Sequence, residues 1–276
     1  MTRSPAMRRM RARKSIHWTF VASFLVATLT GGTSCAGSAS TEPLILLFTS
    51  ETTFWRQLDI AERIAQVATI REISALEPWL AHSDRRSRGN AAYIFARVGD
   101  RRGIAVLGEI LNDYSAERTI HADEMTLNWI TTGDPKEDKE RWEEYVRSPG
   151  VLREQIRMDR YHAVHLLGKL RDRSAVDILI PLLEHDDVGY NVAWALGEIG
   201  DVRAIPPLIA ALASKDAILR VNAIGALEEL HAAEAIPRLE ALFDDREIPR
   251  AGDQTSVGTT ARRAAASIRY SLDARN

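Results

Sequence analysis

Tyr190–Leu212 reads YNVAWALGEIGDVRAIPPLIAAL, and its punctuation decides the fold. Val192, Ala195, Leu196 and Ile199 stand at offsets 0, 3, 4 and 7, which puts them on one face of an amphipathic helix. Gly200-Asp201 closes that helix and opens another, seeded at Ile205, with Pro206 and Pro207 near its start, where a missing N–H costs nothing. The same stripe recurs at Ala91/Ile94/Phe95/Val98, Ala163/Leu166/Leu167/Leu170 and Ala223/Ala226/Leu227/Leu230. A second helix follows at a fixed distance, seeded at Ile73, Ile104, Val176, Ile205 and Ile236. Two interleaved families define a helical-hairpin repeat, and a hairpin that cannot bury its face alone must stack on its neighbours. The expected fold is all-α: a right-handed α-solenoid of about six hairpins plus a C-terminal capping helix, whose product is surface rather than a catalytic cleft.

Counting outward from this stretch, first-helix seeds fall at 61, 91, 163, 192, 223 and 261, and both helix families jump by 72 residues at the same place. That jump is two periods plus about ten residues, so a divergent repeat or an insertion occupies 112–153. Gly133-Asp134-Pro135 repeats the helix-closing pattern of Gly99-Asp100 and Gly200-Asp201, which favours a degenerate repeat with Met125, Asn128, Trp129 and Thr132 on its first face. Its second helix would run through Trp142, Tyr145 and Val146.

Asp100, Asp134, Asp172 and Asp201 each precede a second helix, where a carboxylate accepts hydrogen bonds from free N–H groups and faces the positive helix end. Asn90, Asn191 and Asn222 each precede a first-helix seed, with His162 substituting once. A buried amide there suits a ladder bonded to the backbone of the adjacent repeat. Pro237 falls near a helix start, whereas Pro181 lies about a turn further in and should bend its helix.

The Tyr190–Leu212 stretch resembles the short HEAT repeat of the phycobilisome-lyase type, and the units seeded at 91, 163 and 223 resemble it more loosely, over Asp59 to Asp245 in all. That class includes bilin lyases, a metal-dependent deoxyhypusine hydroxylase and many bacterial interaction proteins, so the resemblance is specific for fold and weak for function. The hydroxylases carry His-Glu pairs as iron ligands, and this chain has no His-Glu dipeptide. An enzyme of the lyase-like or hydroxylase-like kind is therefore the disfavoured alternative.

Arg3, Arg8, Arg9, Arg11, Arg13 and Lys14 form a basic n-region without acids, followed by an apolar run from Ile16 to about Leu29 and small residues up to Cys35. This reads as a signal peptide over 1–34 and a tether over 35–50. Cys35 is the only cysteine and stands where a bacterial lipoprotein carries its lipid; Thr33 and Ser34 fit that reading, and Gly32 stands where Leu is usual. Either Cys35 is lipidated and the protein is anchored in the envelope, or the leader is cleaved elsewhere and the protein is periplasmic or secreted. Membrane contact is expected only through that N-terminal lipid or signal anchor.

Without the leader's six cations, the 36 basic residues fall to 30 against 38 acidic ones, a net charge near −8. Such a surface argues against nucleic acid, whose phosphates demand Lys and Arg. The acidity concentrates in Asp113–Arg147, with ten carboxylates against five basic residues. A solvated insertion explains that charge, but Trp129, Trp142 and Tyr145 lie among it. These rings either fill their own repeat or anchor a partner.

His162 and His165, with Tyr161, Asp159 and His185-Asp186-Asp187, offer ligand chemistry at plausible spacing. Yet His165 borders the apolar stripe and His162 fills the ladder position. No nucleophile–His spacing and no phosphate loop appear, so no catalytic, cofactor or metal residue is assigned. Glu42–Phe48 and the helix carrying Phe54, Trp55 and Leu58 should cap the solenoid at its start, and Ala261/Ala264/Ala265/Ile268 should cap its end. The chain reads as a non-catalytic protein-interaction module or scaffold of the bacterial envelope with a protein partner. Glu109, Glu184, Lys215 and Glu240 would present the second-helix face.

Overall fold

The computed structural model describes residues 41–115, 134–146, 148–250 and 255–274. The signal-peptide segment, Cys35 and Trp129 lie outside the described residues. Within them the protein is an α-solenoid, and no strand occurs among the described residues.

Helix α1 (Glu42–Ser50) leads into α2 (Phe54–Val67), which pairs with a 3₁₀ helix over Glu72–Ala81 as hairpin 1. Hairpin 2 is α3 (Arg85–Arg97) with α4 (Arg102–Asn112). After α5 (Pro135–Val146), hairpin 3 joins α6 (Pro149–Leu170) to α7 (Val176–Leu179). Hairpin 4 is α8 (Gly189–Ile199) with α9 (Ile205–Ala211), hairpin 5 is α10 (Ala217–Glu229) with α11 (Ile236–Ala241), and α12 (Val257–Asp273) follows. First helices pack in series: α2 on α3, α3 on α6, α6 on α8, α8 on α10 and α10 on α12. The stripes face inward, with Ala91, Ile94, Leu166, Leu167, Val192, Leu196, Ala223, Leu227, Ala261 and Ile268 all buried.

One boundary moves. Residues 42–50, counted above with the tether, form α1, because Pro43 suits a helix start and Phe48 is buried edge-on against Trp79 at 5.2 Å. The described residues place hairpin 3 next to hairpin 2 in the series. Helix α6 packs directly on both α3 and α4, and α5 lies beside α6. Helix α5, PKEDKERWEEYV, confines its apolar residues Trp142, Tyr145 and Val146 to its second half, and its Lys136, Glu137, Lys139, Glu140 and Arg141 are exposed. Pro181 ends α7 after four residues by turning it into a 3₁₀ segment at Ile180–Leu182.

Candidate functional site

The second-helix caps share one geometry. Asp100 accepts from the Arg102 N–H at 2.9 Å, Asp134 from Lys136 at 2.8 Å, Asp172 from Ser174 at 2.8 Å and Asp201 from Arg203 at 2.9 Å. The guanidinium groups of Arg102 and Arg203 hold Asp100 and Asp201 below the usual carboxylate range. The ladder divides. Asn90 donates to Phe54 O at 2.9 Å and Asn191 to Tyr161 O at 3.1 Å, each reaching the preceding hairpin, whereas Asn222 turns back to Ile218 O of its own helix at 3.0 Å.

Between hairpins 1, 2 and 3 the ladder becomes a relay. Gln57 donates to Phe48 O at 3.2 Å, Asn90 donates to Gln57 Oε1 at 3.1 Å, and His162 Nε2 lies 2.9 Å from Asn90 Oδ1. Because the Asn90 amide nitrogen is already committed, its oxygen faces His162, which assigns the proton to Nε2. Burial pushes the His162 pKa down to about 3, so the ring is neutral. His165 instead stacks on Trp194 at 5.1 Å, and burial lowers its pKa too. The two histidines thus serve packing contacts, and no group of His, Cys, Asp and Glu able to hold a metal occurs among the described residues.

Where the chain leaves the stack after α4, arginines converge. Arg85 is 1% exposed and grips Asp113 with two bonds, Nε to Oδ2 at 2.9 Å and an Nη to Oδ1 at 2.8 Å. It also donates to Ser115 O at 2.5 Å. Arg88 reaches Asp113 at 3.1 Å, and Arg160 donates to Leu111 O at 2.8 Å while lying over the Tyr114 ring at 4.6 Å. Asp159, fully buried, accepts from Arg85 at 3.4 Å and Arg86 at 3.1 Å and so ties hairpin 3 to hairpin 2. The Arg85 hydrogen bonds hold the Asp113 carboxyl well below its ordinary range. Residues 113–115, the root of the segment that follows, are therefore fixed by three guanidinium groups.

Sequence reasoning missed this cluster, although a signal existed. Arg88, Arg160 and Arg220 stand three residues before their seeds. Each pairs with an acid in the loop after its own second helix: Asp113 at 3.1 Å, Asp187, and Asp245 at 3.0 Å. Of the aromatic candidates, Tyr145 is half-buried on α5 and Trp142 lies on the same helix. Glu109, Glu184, Lys215 and Glu240 are exposed, and Glu240 pairs with Arg269 of α12.

The HEAT-repeat family model matches residues 151–228 and 186–252. Residues 151–252 carry HEAT repeats. The chain is similar to phycocyanobilin lyase subunit alpha of Picosynechococcus sp., 40% identical over 95 residues, which are 30% of this chain and 35% of that protein. It is also similar to the same subunit of Synechococcus elongatus, 38% identical over 97 residues, 31% and 36% of the two chains. The chain spans about a third of the length of the curated relatives it matches. Among solved structures, an engineered protein from the Northeast Structural Genomics Consortium aligns with 83% of this chain and 96% of its own, at 19% identity and a TM-score of 0.41. That likeness is too distant to support any argument.

Proposed function

We propose that the chain is a non-catalytic protein-interaction module in which the HEAT-type stack presents the segment after Asp113 to a protein partner. The observation that supports this most is the grip of Arg85, Arg88 and Arg160 on residues 111–115, where the chain departs from the stack. Arg160 and Arg220 hold the corresponding loops at Asp187 and Asp245, whereas three arginines converge on 111–115. Ordering the root of a presented segment beforehand lowers the entropy lost on binding. The acidic and aromatic composition beyond the root supplies contact chemistry, with Trp129, Trp142 and Tyr145 as anchors. Export through the N-terminal leader, with a lipid on Cys35, would place this module at the bacterial envelope. Among the described residues no helix is long and apolar enough to cross a membrane.

The test is affinity capture from an envelope extract, comparing the full chain with a variant whose residues 116–147 are replaced by a Gly/Ser linker. Partners retained by the first and lost by the second support the proposal; an identical partner set contradicts it. The mass of the mature N-terminal peptide tests the anchor: an acylated Cys35 supports it, and an unmodified cysteine contradicts it.

A second reading, a lyase-like role on a bilin, is favoured by the local identity to phycocyanobilin lyase subunit alpha. It predicts that the purified chain changes the absorption spectrum of added phycocyanobilin. An unchanged spectrum across a titration would remove it.

A further inference from the structure

Between hairpins 2 and 3, on the edge where first helices end, lies an open depression of about 500 Å³ lined by Ala96, Arg97, Leu170, Arg171, Asp172 and Arg173. The root of the presented segment is on the other edge. Helix α3 runs from Arg85 at that root to Arg97 at the depression, about 18 Å at 1.5 Å per residue.

The neighbouring junctions show what is different here. Between hairpins 1 and 2, Arg102 binds its own cap Asp100 at 2.7 Å and reaches Glu77 of the preceding second helix at 3.1 Å. Between hairpins 3 and 4, Arg203 does the same with Asp201 at 3.0 Å and Asp177 at 2.9 Å. The parts are an Arg two residues after the cap and an acid on the preceding second helix, which for Asp177 stands five residues after the Asp172 cap. Between hairpins 2 and 3 those positions hold Ser174 and Ala105, so this staple cannot form. The cation is retained one residue earlier, as Arg173; neither Arg173 nor Arg97 forms an ion pair among the described residues, while Arg173 adds to the field on Asp201 and Arg97 bonds the Tyr93 hydroxyl. Between hairpins 4 and 5 the staple is absent as well, but there Ala232, Ala233 and Glu234 leave no cation behind.

Arg171 adds to the contrast. It occupies the left-handed position after α6 at φ 54°, as His231 does after α10 at φ 49°, where hairpins 2 and 4 use Gly99 and Gly200. A side chain in that conformation costs about 1 kcal/mol relative to glycine. Its guanidinium meets Glu198 at 2.6 Å, and Asp172 is committed to capping Ser174. Arg97 and Arg173 are the exposed cations of the depression that form no ion pair, and Ala96 and Leu170 line it beside them.

We propose that this depression receives the carboxylates of an acidic segment of a protein partner. Guanidinium groups bind carboxylates through paired, charge-assisted bonds. Small-molecule sites bury most of their ligand, which a depression this open does not do. Cations contributed by two successive hairpins match acids at successive positions of a peptide better than one small ion. The inference rests on the chain being an interaction module, although not on the segment after Asp113 being the contact.

The experiment is calorimetric titration of the full chain with an acetylated, amidated hexaglutamate peptide and, separately, with inorganic phosphate, at low ionic strength. The peptide should bind, weaken as salt rises, and lose at least tenfold in affinity in the Arg97→Ala/Arg173→Ala variant. Arg238→Ala, an exposed arginine on α11, should bind as the parent does. Absence of peptide binding, equal loss in the Arg238→Ala variant, or phosphate binding as tightly as the peptide would overturn the proposal. Peptide binding can fail while capture through residues 116–147 persists, so the two proposals fail separately.

Discussion

Hairpins 2 and 3 meet through long polar side chains, whereas hairpins 3, 4 and 5 meet almost backbone to backbone. At the first junction a β-carbon on Gly89 would stand 3.4 Å from Leu166 and 3.6 Å from His162, an ordinary contact. At the others, a β-carbon on Gly168 would lie 3.1 Å from Ala195 Cα, and one on Gly197 would lie 2.9 Å from Ala226 Cα. One repeat therefore uses two kinds of glue. Small residues that bring helices close give a generic apolar stack; the arginine–aspartate cluster and the amide–imidazole relay occur where the chain leaves that stack. Buried ion pairs stabilise little compared with apolar replacements, so their concentration at one junction points to positioning rather than strength.

The largest effect should come from breaking the polar junction one-sidedly. Asp159→Ala removes a buried carboxylate shared by Arg85, which keeps Asp113, and Arg86, and should destabilise the chain by about 3 kcal/mol in urea unfolding. Replacing Arg85, Arg86 and Asp159 together by Met, Met and Leu should recover much of that loss while loosening the 113–115 root. Equal losses in the two variants would mean that the cluster is ordinary cement.

The apolar junction should respond to volume. Gly197→Val forces a side chain into the Ala226 backbone and should cost about 2–3 kcal/mol. Gly89→Ala, with room beside it, should be neutral or stabilise by up to about 1 kcal/mol through helix propensity. The same measurement on both variants sharpens the contrast, and similar losses at the two glycines would erase it.

Acid should act on the polar junction first. The His162 pKa falls from 6.5 to about 3 on folding, so the unfolded chain binds a proton that the folded chain refuses. Stability is complete above about pH 6.5 and declines as pH falls toward 3, by up to about 1.4 kcal/mol per pH unit. His165 shifts in the same direction, and Asp113, whose folded pKa is depressed, adds a loss only below the unfolded carboxylate value of 3.8. His162→Asn should flatten the dependence between pH 6.5 and 4 by one proton's slope in urea titrations at each pH. The smallest effects belong to the caps: Asp172→Ala should cost about 1 kcal/mol, with thermal unfolding as the readout.

The apolar glue was fully legible in the sequence, because a helical stripe needs only residue type and spacing. Ala163/Leu166/Leu167/Leu170 and its counterparts face inward as their periodicity requires. The caps were legible for the same reason, since Asp100 and Asp201 act within two residues of themselves. The polar glue was not. Arg85 meets Asp113 across 28 residues and Asp159 across 74, separations that no local period encodes. The 72-residue jump left a divergent repeat or an insertion open, and Gly133-Asp134-Pro135 favoured the repeat by copying the helix-closing motif. Only the direct packing of α6 on α3 and α4 shows that the stack continues past it. Asn222 failed as a ladder residue because its amide finds a carbonyl one turn back, a competition that spacing cannot resolve.

The central claim is that the stack closes directly from hairpin 2 onto hairpin 3. Thermal unfolding of a variant in which a Gly/Ser linker of about twelve residues replaces 116–147 tests this most directly. The account predicts one cooperative transition within a few degrees of the parent and a helicity loss no larger than the removed residues explain. Loss of cooperative unfolding, as expected when a structural repeat is cut from a solenoid, would contradict it.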